Sequence, residues 1–180
     1  MADYRRSNIA GGTYFFTVVT HERRPILTME AVRAALREAI QQARTTLPFQ
    51  IDSWVLLPDH LHCIWTLPEG DANLSARWAI IKRYVSGRCA AIIDPSRRDS
   101  VQKRNERAFW QRRFWEHQIR DDDDMARHVD YTHWNPVKHG LVKAVKDWPY
   151  SSFHKYVARG VYPDNWGGSE IADADKSFGE

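Results

Sequence analysis

Two apolar runs, Phe49 to Leu57 and His60 to Leu67, are separated only by Pro58-Asp59. Proline presets its own φ and aspartate favours a tight turn, so the runs read as two antiparallel strands of one hairpin. Strand side chains alternate between faces. Leu61 and Cys63 therefore point one way, into a core, while His60 and His62 project together from the opposite face. A paired imidazole edge on a buried strand is a half-site for a divalent metal. Taken alone, such a pair is more often a structural or an exposed feature.

The rest of the chain supplies a frame for this hairpin. Gly11-Gly12 leads into a β-branched and aromatic strand from Thr13 to Thr20. Thr28 is expected to cap a helix from Met29 to about Thr46, with Val32, Leu36, Ala39 and Ile40 on its apolar stripe. Pro68-Glu69-Gly70-Asp71 closes the third strand. Asn73 or Ser75 then caps a second helix running to about Ile93, with Trp78, Ile81, Val85 and Ala90 inward. Asp94 to Arg107 reads as a polar, basic loop, and Ala108 to Arg120 contains a fourth strand. Asp121 to Asp124 opens a third helix, where the dipole favours acids, and Pro136 is expected to limit it. Ser151 to Arg159 forms a short fourth helix. The order β-α-β-β-α-β-α predicts an α+β fold, a ferredoxin-like antiparallel sheet with helices packed on it and a C-terminal helical addition. One domain is expected over 1–163, followed by an acidic, irregular tail over 164–180.

Composition narrows the class. A chain of 180 residues with 43% hydrophobic residues can bury a core and is not disordered throughout. No apolar run approaches the ~20 residues of a membrane span, and the N-terminus lacks a secretory signal. Cys63 and Cys89 give neither a disulfide framework nor a zinc knuckle, so a reducing, cytoplasmic setting is expected. The net charge of +3 is uneven. From Arg77 to Arg113 eleven Lys or Arg face three acids, a local net of +8, whereas Asp164 to Glu180 nets −4. The basic stretch is either a solvated face or a polyanion site. Aromatics interleaved with arginine in Phe109-Trp110-Gln111-Arg112-Arg113-Phe114-Trp115 suit stacking on unpaired bases, and they equally suit a core.

The third helix carries Tyr131 and Asn135, four apart and so on one face. A tyrosine can act as a covalent nucleophile, and an amide oxygen is a hard ligand for Mg²⁺ or Mn²⁺. Two imidazoles and one amide oxygen leave room for phosphate oxygens, an arrangement that suits Lewis-acid activation of a phosphodiester. The plainer alternatives are a helix tyrosine packed on the sheet and an asparagine at a helix end before proline.

Pro58-Asp59-His60-Leu61-His62 after a strand, followed by Tyr131-Thr132-His133-Trp134-Asn135-Pro136-Val137-Lys138-His139-Gly140, resembles the single-tyrosine HUH transposases. The REP-associated branch is the nearest. Its likeness extends to Tyr4-Arg5-Arg6, Gly11 to Thr17, Trp110 to His117, Pro149 to Ser152 and Gly160 to Pro163, covering roughly residues 4 to 166. The resemblance implies that His60, His62 and Asn135 hold a divalent metal, Mg²⁺ or Mn²⁺. It implies that Tyr131 attacks a phosphate of single-stranded DNA, folded as a palindromic hairpin, to leave a 5′-phosphotyrosine and a free 3′-hydroxyl. Residues 1–163 would then be the HUH domain, with a monomer favoured and a dimer the alternative.

For DNA contacts the candidates are Lys82, Arg83, Arg112 and Arg113 in the basic stretch, with Arg5, Arg6, Arg23 and Arg24 extending the surface. His117 is either a group behind the ligands, a general acid, or structural. Tyr14 and Tyr150 are alternative nucleophiles that lack a ligand-type residue on the same helix face. Two other functions stay open: a nucleic-acid-binding module that does not cleave, and a metal-dependent hydrolase that uses water.

Overall fold

A computed structural model describes residues 9–93 and 109–167. The elements are β1 (Thr13–Val19), α1 (Glu30–Thr46), β2 (Gln50–Leu56), β3 (His60–Thr66), α2 (Leu74–Arg88), α3 (Ala90–Ile93), β4 (Trp115–Gln118), α4 (Asp122–Lys138) and α5 (Phe153–Ala158). The strands form one antiparallel sheet in the order β2-β3-β1-β4. The β1–α1–β2 crossover leaves a slot that β3 fills by folding back through the Pro58-Asp59 turn. That is the ferredoxin-like arrangement expected from the sequence.

Register decides what each face does. Val19 partners His60 and Thr17 partners His62, while Trp115 lies opposite Thr17 and His117 opposite Phe15. One face therefore carries Tyr14, Phe16, Val18, Leu61, Cys63 and Trp65, packed under α1 and α2 in the main core. There Trp65 stacks on Trp78 at 4.3 Å and meets Phe49 at 4.2 Å. The other face carries His60, His62, Phe15 and His117 and is covered by α4. A smaller cluster forms there from Phe15, Ile64, Val129 and Tyr131. Both faces are buried, which is why β3 is enclosed along almost its whole length.

Three boundaries differ from expectation. The N-cap of α1 is Met29, one residue later than expected, and its thioether offers no side-chain cap; the Thr28 carbonyl accepts from Arg33 Nε at 3.1 Å. The second helix breaks at Cys89, and Ala90–Ile93 is a separate short turn. Pro136 does not end α4, which runs on to Lys138. A proline in the last turn forfeits little of the hydrogen-bond ladder. Gly140 (φ 66°) makes the stop instead, its N–H reaching the Val137 carbonyl. Asn73 does cap α2, accepting from Ala76 N–H at 3.1 Å, and Asp121 caps α4. The expected loop after Asp94 and most of the acidic tail lie outside the described residues, within which no helix is long and apolar enough to cross a membrane.

Arg77, counted in the basic stretch, is fully buried. Its guanidinium forks onto both Asp71 oxygens at 3.0 and 2.7 Å and donates to the carbonyls of Asn73 and Pro48. It ties the start of α2 to the end of α1. Arg77→Met is expected to lower the unfolding free energy by about 3 kcal/mol, since it strands an acid and two carbonyls. Urea denaturation of the variant checks this.

Candidate functional site

β3 presents His60 and His62 to α4, and each ring is fixed from behind. Thr17 Oγ1 lies 2.9 Å from His62 Nδ1, and Asp59 Oδ1 lies 2.6 Å from His60 Nδ1. With Nδ1 engaged on both rings, Nε2 is the atom each would use to ligate a metal. Asp59 is itself anchored by Arg23 Nη1 at 3.2 Å. Burial opposes the Asp59 carboxylate, but its bonds to His60 and Arg23 outweigh burial and hold its carboxyl below the usual range. Arg23 and Glu22 adopt left-handed backbone conformations (φ 50° and 55°). Non-glycine residues rarely do so, and here the turn brings Arg23 to Asp59.

Tyr131 and Asn135 of α4 and His139 at its C-cap are spaced by four, on the side of the helix that meets this pair. The Tyr131 ring is 5.3 Å from the His62 ring, and the His139 ring is 5.0 Å from the His60 ring. Asn135, fully buried, falls on the helix line between them. The two histidines are 5.0 Å apart, ring to ring. Lys138 Nζ donates to Tyr131 Oη at 2.9 Å. A cation against that oxygen favours the negative charge a nucleophile must carry. The donor set is two imidazoles, each engaged at Nδ1, plus a neighbouring amide, and it fits a hard or borderline divalent ion. His139 and Lys138 were not singled out from sequence. The signal was present, since His139 continues the Tyr131–Asn135 spacing by one more turn.

His117 lies elsewhere. Its Nε2 is 2.8 Å from Asp124 Oδ2, and its ring stacks on His128 at 4.5 Å, 12° from parallel. Donor atoms of His117, Asp124 and His128 lie within 4.8 Å of one another, so these three could also hold an ion. Those donor atoms are already paired with one another: His117 Nε2 lies against Asp124 Oδ2, and His128 Nδ1 lies 3.2 Å from Asp124 Oδ1. The trio is already joined by hydrogen bonds, with His128 Nδ1 2.7 Å from the Asp124 carbonyl. It acts as a buttress: Phe15 is wedged between His128 at 5.0 Å and His62 at 5.3 Å. On the far side of α4, His133 bonds Ser152 Oγ at 2.8 Å. Burial drives its pKa down to about 3, so it is neutral.

The candidate DNA contacts divide. Lys82, expected on the DNA-facing surface, is instead buried: its ammonium donates to the Gln111 carbonyl at 2.9 Å, under Trp110 and Phe114, and braces the fold. Arg83, Arg112 and Arg113 are exposed. Gln111 N–H bonds the Val19 carbonyl, and Val19 partners His60, so Arg112 and Arg113 follow at the His60 end of the sheet. Arg24 lies near Glu22. Arg5 and Arg6 lie outside the described residues. Tyr14 is buried on the opposite face, its hydroxyl bonded to Ile9, and is not near the histidines. Tyr150 lies under the Arg33 guanidinium at 4.5 Å.

Comparison with known proteins gives one answer. A family model described as transposase IS200 like matches residues 9–133. The chain is 48% identical over 168 residues to the REP-associated tyrosine transposase of Escherichia coli K12, covering 93% of this chain and 92% of that protein. A Haemophilus influenzae relative assigned to the same group is 43% identical over 173 residues, covering 94% and 95%. A solved structure of a REP-associated tyrosine transposase bound to a REP hairpin superposes with a TM-score of 0.83 at 47% identity, covering 100% of this chain and 98% of the other.

Proposed function

This chain belongs to the IS200-like transposases, on the REP-associated tyrosine branch, and from that premise we propose that it nicks and rejoins single-stranded DNA at palindromic hairpins through Tyr131. The observation that carries the reading is the meeting of Tyr131 with the His60–His62 pair, 5.3 Å from ring to ring, on elements 69 positions apart in the chain. The relative solved with a REP hairpin supports the choice of substrate.

Tyr131 Oη attacks a backbone phosphorus. The new oxygen–phosphorus bond forms as the bond to the 3′ oxygen breaks. The phenol gives up its proton, and the departing oxygen gains one to become a 3′-hydroxyl. The 5′ end stays on the tyrosine. Rejoining reverses the step with another 3′-hydroxyl, so bond energy is conserved and no external energy source is required. Lys138 holds the phenol oxygen and stabilises its charge before attack and after release. His60, His62 and Asn135 would hold Mg²⁺ or Mn²⁺, which when bound supplies Lewis-acid polarisation of the scissile phosphate. Asp59 and Thr17 keep both imidazoles oriented for that task. Arg83, Arg112, Arg113, Arg5 and Arg6 would contact phosphates, and His117 steadies the site through Phe15. Since one chain supplies both the histidine pair and the tyrosine, a monomer acting in cis is the favoured state.

The test is a hairpin oligonucleotide labelled on either side of the nick. Label 3′ of the nick should travel with the protein in denaturing gels, and label 5′ of it should be released. Free 5′-phosphate product with no adduct would support hydrolysis by water instead. Lys138→Met is expected to slow adduct formation about 100-fold while hairpin affinity changes little. Single-turnover rates beside Lys138→Arg, which keeps the charge and most of the rate, check the role.

A further inference from the structure

Arg33, Arg37 and Arg44 fall on one face of α1, which walls a groove of about 590 Å³. Lys155 and Arg159, four apart at the end of α5, form the facing wall. Trp54, Tyr150 and Tyr156 lie between the walls. Five cations thus line the groove with one carboxylate, Asp52, whose oxygens already accept from Thr66 Oγ1 at 2.7 Å and from Gln50 Nε2. Among the described residues no carboxylate lies within 4.0 Å of any of the five. Of the two acids of α1, Glu38 faces away, toward Tyr84 and Arg88 of α2, and Glu30, in the first turn, makes no ion pair with the groove cations among the described residues.

Two of the guanidiniums are preorganised. Arg33 Nε is spent on the Thr28 carbonyl and Arg44 Nε on the Phe49 carbonyl, at 3.1 and 3.0 Å, which fixes each fork and leaves its outer donors for a ligand. Opposed cationic walls over recessed aromatics match an unpaired strand, whose phosphates run along the walls and whose bases reach inward. A duplex keeps its bases stacked inside and would touch the rims alone. The groove is also joined to the catalytic helix. Tyr156 packs on His133 at 4.7 Å, and Ser152 bonds the same histidine, two residues from Tyr131.

We propose that this groove is a second nucleic-acid contact that takes the single-stranded DNA continuing from the hairpin. The inference rests on the reading of the chain as a hairpin-processing enzyme, but its test reads binding, so the two can fail separately. The probe is a fluorescent hairpin carrying about ten thymidines on both sides of the stem, compared with the blunt hairpin, over a range of salt. Arg37→Glu with Arg159→Glu changes two exposed side chains outside the catalytic machinery. The tailed probe should lose at least about tenfold in affinity, and its salt slope should fall by about 1.4, or ~0.7 per phosphate contact. Blunt-hairpin affinity should stay within about twofold, and the pair Arg37→Lys with Arg159→Lys should restore tail binding. Equal losses for tailed and blunt probes would assign the groove to the stem and overturn the proposal. Unchanged binding of both would remove the groove from DNA recognition altogether.

Discussion

Tyr131→Phe is expected to abolish covalent capture of hairpin DNA, by at least about 1,000-fold, while hairpin affinity stays within about threefold. The change removes one oxygen and nothing else. The ring keeps its contacts with Phe15 at 6.0 Å and His62 at 5.3 Å, so α4 stays seated on the sheet. The Lys138 bond to the phenol oxygen is lost, at a stability cost of about 1 kcal/mol. A loss of cleavage with retained binding and an unchanged melting curve therefore isolates chemistry from folding. Residual adduct at the level of the parent protein would move the nucleophile to another side chain.

The second large effect belongs to the histidine pair. His62→Ala should remove Mn²⁺ binding measured calorimetrically and reduce cleavage by at least about 100-fold. The ring is fully buried, so part of any phenotype will come from the cavity; Asp59→Asn separates the two causes. Asparagine preserves the shape beside His60 but weakens the 2.6 Å bond that fixes its tautomer. It should cost about 10–100-fold in metal affinity without comparable loss of stability. Equal cleavage by Asp59→Asn and the parent at limiting Mn²⁺ would show that the carboxylate does not orient the ligand.

The hairpin was the most legible part of the chain. Pro58-Asp59 and the alternation across His60 to Cys63 fixed which side chains share a face, and strand order followed from connectivity. The i, i+4 spacing of Tyr131 and Asn135 was equally legible because a helix repeats locally. What could not be read was which cations face solvent. Arg77 and Lys82 sit in a sequence segment that looks like a charged surface, yet each meets backbone carbonyls across distant turns. Burial of a charge depends on long-range partners that leave no local period. The same is true of the groove between α1 and α5: its two walls lie more than a hundred residues apart, and neither stripe stands out on charge alone. Pro136 misled for a different reason, since its effect depends on how many turns remain to be bonded.

We propose that β3 and α4 build one site whose nucleophile is Tyr131. Trypsin cuts after Arg127 and Lys138, and the peptide between holds a single tyrosine. Mass spectrometry of the trapped hairpin adduct should place the 5′-phosphate on that peptide, at Tyr131. An adduct on a peptide bearing Tyr14 or Tyr150, or nicked DNA with no modified peptide, would contradict the account.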